Sequence, residues 1–153
     1  MRTLARAEDK AEILRRLRTV RPDSPRQFGR MSAPQMICHL SDSFRAVMGR
    51  LTVSDVSTPL SRTVVKWIAL YAPVRWPPGQ ATCPELDQVA GKGTAPNTFD
   101  RDVAELEALV KEITAMARSF TWEPHPVFGR MSESDWKRWA YLHMDHHLRQ
   151  FGV

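Results

Sequence analysis

Between about Ala5 and Val20 the apolar residues Ile13, Leu14, Leu17 and Val20 return at helical spacing with arginines between them, which predicts an amphipathic helix. A second stripe, Met36, Leu40, Phe44 and Val47, follows Ser32. Gln35, three places after that serine, completes a capping box that occupies two otherwise unpaired backbone donors, and this helix is expected to run to about Arg50. A shorter helix after Ser61 carries Val64, Trp67, Ile68 and Tyr71 and stops at Pro73, which has no N–H to give. Val103, Leu106, Val110, Ile113 and Ala117 predict another helix from Asp100 to Phe120. Ser132, with Asp135 at the third helical position, starts the last one. No stretch alternates apolar and polar residues at strand period. The expected fold class is therefore all-α, a four-helix bundle with an additional short helix, with residues 1–153 forming one domain.

The stretch FGRMS occurs twice, at Phe28 to Ser32 and at Phe128 to Ser132, each time just before a helix. The repetition reads as one helix-starting device used twice: a glycine turn, an aromatic and a methionine for packing, and a serine cap. Between these starts, residues 73–97 form a proline- and glycine-rich segment without periodicity, of the kind that is usually functional or mobile, and a candidate lid. Its AGKGT lacks the first glycine and the Lys-Ser/Thr adjacency of a phosphate loop, so the nucleotide reading fails on residue identity.

On a helical wheel, Ala140, His143, His147 and Phe151 fall within about 60° of Trp136, which places two histidines on the core face of the last helix. Arg138, Asp145 and Arg149 fall opposite, where water is expected. Burying two imidazoles one turn apart is unfavourable unless their nitrogens find partners. The i, i+4 spacing allows both to bind one metal ion at about 2.0 to 2.1 Å each. His39 lies at the edge of the second helix's apolar stripe, beside the small residues Ser43 and Ala46, where there is room for a cavity. His146, at the margin of the core face, is expected to pack against another helix or to support a ligand from outside. His125, between prolines in EPHPVFG, reads as a surface turn residue. Core histidines satisfied by backbone or carboxylate partners would obey the same burial rule, so the spacing leaves both readings open.

Composition narrows the function classes. A chain of 153 residues with 42% hydrophobic and 25% charged residues is ordinary for a globular protein, and no apolar run approaches the ~18 residues needed to cross a membrane. The first residues lack the apolar stretch of a secretory signal, so a cytoplasmic location is expected. Cys38 and Cys83 form neither a disulfide framework nor a C-x-x-C pair. Net charge is +5, with arginines concentrated in the first 30 residues. No aromatic interleaving or nucleic-acid motif accompanies them, so they read as a solvated face and no nucleic-acid partner is expected. The tryptophans read as core or pocket wall.

One histidine in a helix opening M-S-x-x-Q-x-x-x-H-L, followed by HxxxH and a nearby glutamine near the end of the last helix, resembles the DinB-like superfamily. The closing HMDHHLRQFG is similar to one of its domain-of-unknown-function branches. The resemblance implies a four-helix bundle, commonly a homodimer, that binds a divalent zinc or nickel ion through His39, His143 and His147. It also implies transfer or isomerisation of a small-molecule substrate with a low-molecular-weight thiol such as mycothiol or bacillithiol. Where many relatives have Arg-Gly-Gln after the second histidine of the pair, this chain has Leu148, Arg149 and Gln150, and an additional His146 intervenes. The rival expectation is a non-catalytic, stress-related helical dimer whose metal is structural or absent.

Overall fold

The computed structural model describes residues 1–80 and 82–153. Among the described residues five α-helices follow one another: α1 (Ala7–Leu17), α2 (Ala33–Val47), α3 (Lys66–Tyr71), α4 (Phe99–Ile113) and α5 (Glu133–Gln150). A π-helical turn, Ser61–Val65, runs directly into α3, and a 3₁₀ turn, Pro84–Leu86, interrupts the long segment before α4. Among the described residues there is no strand, only an isolated bridge between His125 and Gly129. The four long helices form the bundle: α2 packs on α4 and α5, α1 lies along α5, and α3 rests on α5 from outside.

Both serine caps form as the sequence predicts. Ser32 accepts the N–H of Gln35 while the Gln35 side chain accepts the N–H of Ser32, and Ser132 and Asp135 repeat the exchange at α5. Substituting such a cap costs about 1 kcal/mol. Behind the caps, Met36, Ile37, Leu40 and Phe44 of α2 interdigitate with Leu106, Val110 and Ile113 of α4, and Trp136, Ala140 and Met144 of α5 close the core. Phe44 meets Trp139 edge-on at 6.2 Å between ring centres. Truncating so deeply buried an aromatic costs roughly 3–5 kcal/mol, so Phe44→Ala would strongly weaken the α2–α5 contact.

Two expectations need correction. The fourth helix ends at Ile113, with Thr114 donating to the carbonyl of Val110, instead of continuing to Phe120. Tertiary packing overrides the apparent periodicity there. The chain turns back so that Trp122 stacks on Trp136, 5.5 Å between centres, and the Arg118 guanidinium lies over Phe120 and Trp122 while pairing with Glu133. The other correction concerns the polar side of α5. Arg138, Asp145 and Arg149 are half-buried, because α1 and α3 cover that side. Arg16 of α1 donates to Asp145 at 2.8 Å, Arg149 donates to the same carboxylate at 2.9 Å, and Arg138 donates to the carbonyl of Leu70 at 2.8 Å. Helix α5 is thus the central post of the bundle: Asp145 and Arg149 are ion-paired, and Arg138 is bonded to main-chain carbonyls.

Candidate metal centre

Helix α2 sets His39, and α5 sets His143 and His147, around one point. The Nε2 atoms of His39 and His143 are 3.2 Å apart, those of His143 and His147 3.1 Å, and all three lie within 4.8 Å of one another. All three side chains are buried. Among the described residues no fourth histidine, cysteine or carboxylate joins the group. A tetrahedral ion bound at about 2.1 Å holds its ligand nitrogens roughly 3.4 Å apart, close to the two short spacings on either side of His143.

Hydrogen bonding at the far side of the rings decides which nitrogens are free. His39 donates from Nδ1 to the carbonyl of Leu86 at 2.8 Å, and His147 donates from Nδ1 to Oε1 of Gln150 at 3.0 Å. A neutral imidazole carries one proton, so each of these rings turns a bare Nε2 lone pair toward His143. His143 can give at most one proton to its two neighbours, which leaves at least one of the two short contacts as lone pair against lone pair. Its Nδ1 is buried without any partner. A buried unsatisfied polar atom costs about 1–3 kcal/mol, and a cation at the centre would satisfy all the converging lone pairs together. Burial also drives each ring toward its neutral, ligating form: His39 is held below the usual histidine range, and His143 and His147 well below it, in each case chiefly by desolvation.

The repeated FGRMS frames this centre from two sides. Gly29 has φ of 79°, and a Cβ there would run into Nε2 of Gln150, the residue that holds His147. Glycine in the first copy therefore makes room for a ligand's support. In the same copy Phe28 packs on His146 with 5.4 Å between ring centres. In the second copy Phe128 stacks on His125 at 4.5 Å. The two copies are helix starts and also two walls of one cavity.

That cavity, of about 730 Å³, opens over the three histidines and is walled by Phe28, Met31, Ile68, Trp76, Phe128 and Trp139, among others. Part of its wall comes from the segment between α3 and α4, through Val74, Arg75, Pro77, Cys83 and Leu86. This segment is tied down by Asp42, one turn beyond His39 on α2. The buried Asp42 carboxylate accepts from Nε2 of Gln88 at 2.7 Å, from the N–H of Thr94 at 2.8 Å, from the hydroxyl of Thr94 at 2.7 Å and from Arg45 at 2.6 Å. Leu86, which supplies the carbonyl to His39, lies two residues before Gln88.

His146 stands outside the cluster, its ring 5.1 Å from that of His147 and wedged between Phe28 and Trp76. Cys38 is buried and does not join the group of three histidines; its thiol lies near Asp102. Desolvation, with Asp102 and Asp42 nearby, pushes its thiol up to about 12, so it stays an inert thiol. His125 departs from its sequence reading as a surface residue. It is buried against Trp136, Trp139 and Phe128, and its Nδ1 accepts the N–H groups of Val127 at 3.0 Å and Phe128 at 3.1 Å. The prolines around it shape a tight loop folded inward, and burial pushes its pKa down to about 3. Sequence reasoning also missed Leu86 and Asp42. Only Gln150 left a signal, three residues after His147 on the same helix face.

Residues 3–152 match the family described as protein of unknown function (DUF1569), and the chain belongs to that family. No curated protein and no solved structure matches it.

Proposed function

We propose that this member of the DUF1569 family holds one divalent metal ion on His39, His143 and His147 and acts on a small molecule in the cavity above them. The chemistry proposed is that of a metal-dependent transferase or isomerase working with a low-molecular-weight thiol. One observation carries the reading: three buried, neutral imidazoles whose lone pairs converge at the floor of an open cavity, with two of their tautomers locked by Leu86 and Gln150. Three protein ligands leave a coordination position for water or substrate, as in catalytic sites, whereas structural sites are closed by a fourth. The resemblance of helix α2 and of the HxxxH helix to the DinB-like superfamily supports the thiol chemistry and the choice between zinc and nickel.

When bound, the ion would supply Lewis acidity that favours the deprotonated form of a thiol or of water. The protein's own part is to hold His39 and His147 in the ligating tautomer, to exclude bulk water with Trp76 and Trp139, and to orient the substrate. Metal analysis of protein purified without a histidine tag tests the centre, with about one divalent ion per chain expected. A cobalt-substituted sample tests the thiol: a spectrum unchanged by saturating mycothiol, bacillithiol and glutathione would remove the thiol chemistry. A homodimer is also proposed. The outer side of α3 and its π-helical turn exposes Leu60, Val64 and Trp67, and Trp67 is 61% exposed. An apolar face of this kind marks a protein contact, and Trp67→Glu should convert a dimer to a monomer in sedimentation.

A further inference from the structure

The polar groups in the cavity wall are largely used up by the protein itself. Ser43 donates its hydroxyl to the carbonyl of His39 at 2.8 Å, and Gln150 Oε1 is taken by His147. His125 Nδ1 already serves two backbone N–H groups. The Asp87 carboxylate accepts the N–H groups of Val89 and Ala90 at 2.8 and 3.0 Å and lies 3.5 Å from Arg30. What remains to face a ligand is mostly aromatic and aliphatic: Phe28, Phe128, Trp76 and Trp139 deep in the wall, and Val65, Ile68 and Val74 near its outer edge, each of the last three at least 40% exposed, with Gln80 and Thr82 adding polar groups at the exposed rim. Among the described residues Arg75 is the one lining cation without an ion pair or hydrogen bond.

A ligand rich in amides, hydroxyls or charges would leave water and find few partners deep in the wall, so each orphaned group weighs against its binding. An apolar body loses only its hydration shell and gains roughly 25 cal/mol for every Å² it buries. The volume, about 730 Å³, is that of a pocket for a drug-sized molecule. We infer that the cavity binds an aromatic or alkyl compound carrying at most one negative charge, its body against Phe28, Trp76, Phe128 and Trp139 and its charge toward Arg75. This deepens the proposed function by naming the substrate class of that site: the apolar compound fills the body of the cavity, and the hydrophilic thiol would be held through its sulfur at the ion and not by the cavity wall.

The test uses chelator-treated protein and 1-anilinonaphthalene-8-sulfonate, a fluorescent aromatic body with one sulfonate, so its result is independent of the metal. One saturable probe per chain is expected, with energy transfer from tryptophan, and with displacement by neutral naphthalene but not by glutathione. Ala46→Phe and Ala69→Phe, which fill the cavity from α2 and α3, should each weaken the probe at least tenfold. Arg75→Gln should weaken it several-fold and leave naphthalene unaffected. Met116→Ser, on the fully exposed surface away from the cavity, should change nothing. Several weak probes per chain that are indifferent to both filling variants would overturn the inference, as would loss of binding in Met116→Ser or displacement by glutathione as effective as by naphthalene. Such a failure would leave the metal reading standing, and absence of metal from native protein would leave the cavity result standing.

Discussion

The Nδ1 of His39 donates to the main-chain carbonyl of Leu86 at 2.8 Å, so a backbone atom from the loop between α3 and α4 fixes the tautomer of a residue on α2. A main-chain carbonyl cannot be removed by substitution, and its position depends on how the loop is anchored. The centre is therefore coupled to residues that never touch it, and each can be tested separately.

The first test separates adjacent histidines. His147 turns Nε2 into the cluster while His146 packs between Phe28 and Trp76. His147→Ala should lose most of the metal affinity, and His146→Ala should retain the ion with at most the 10 to 100-fold weakening typical of a lost supporting partner. Chelator competition measures both, and the reverse order would require the His39, His143, His147 assignment to be withdrawn.

Gln150 and Gly29 should behave as one unit. Gln150→Ala frees the Nδ1 of His147 and should weaken metal binding about 10 to 100-fold with little loss of fold. Gly29→Ala forces a Cβ into the Gln150 amide at a φ of 79° and should weaken binding similarly while also costing about 1 kcal/mol of stability. In a double mutant the two losses of affinity should fall short of adding, because both act through Gln150.

Asp42 anchors the loop through three donors from Gln88 and Thr94, and Arg45 on its own helix supplies a fourth; all of them need an acceptor. Asp42→Asn places an amide NH₂ among N–H groups and removes the charge facing Arg45, so a loss of about 3 kcal/mol in stability is expected by thermal or denaturant melting. Hydrogen exchange at Thr94 should accelerate, and metal affinity should fall because Leu86 is no longer held against His39. Unchanged exchange at Thr94 would show that the loop has another anchor.

Acid should destabilise the protein through His125. Above about 6.5 the ring is neutral in folded and unfolded chains alike and contributes no pH dependence. Below that value the unfolded chain takes up a proton that the folded one, with a pKa pushed to about 3, does not. Stability is then lost progressively between pH 6.5 and about 3, by up to ~1.4 kcal/mol per pH unit for this one group. His125→Asn keeps an acceptor for the N–H groups of Val127 and Phe128 but cannot titrate. The difference in unfolding free energy between wild type and variant, followed over that window, should therefore shift in favour of the variant as pH falls.

Periodicity and caps determined the helices, because a 3.6-residue stripe and a Ser-x-x-Gln or Ser-x-x-Asp start are local features that the chain carries into any environment. The same geometry placed His143 and His147 together, since residues four apart on one helix cannot avoid each other. It did not determine where α4 stops, because Trp122 docking on Trp136 outweighs a weak continuation of the stripe. Nor could a wheel drawn for one helix show that α1 and α3 cover the polar side of α5. Proline-flanked His125 gave every local sign of exposure, and only the packing of Phe128, Trp136 and Trp139 around its ring turned it inward. The carbonyl of Leu86 lies 47 residues from His39, and Asp42 meets Thr94 across 52. Contacts over such separations have no sequence period, because they arise when the folded bundle carries one segment against another, and there the tertiary structure alone decided the site.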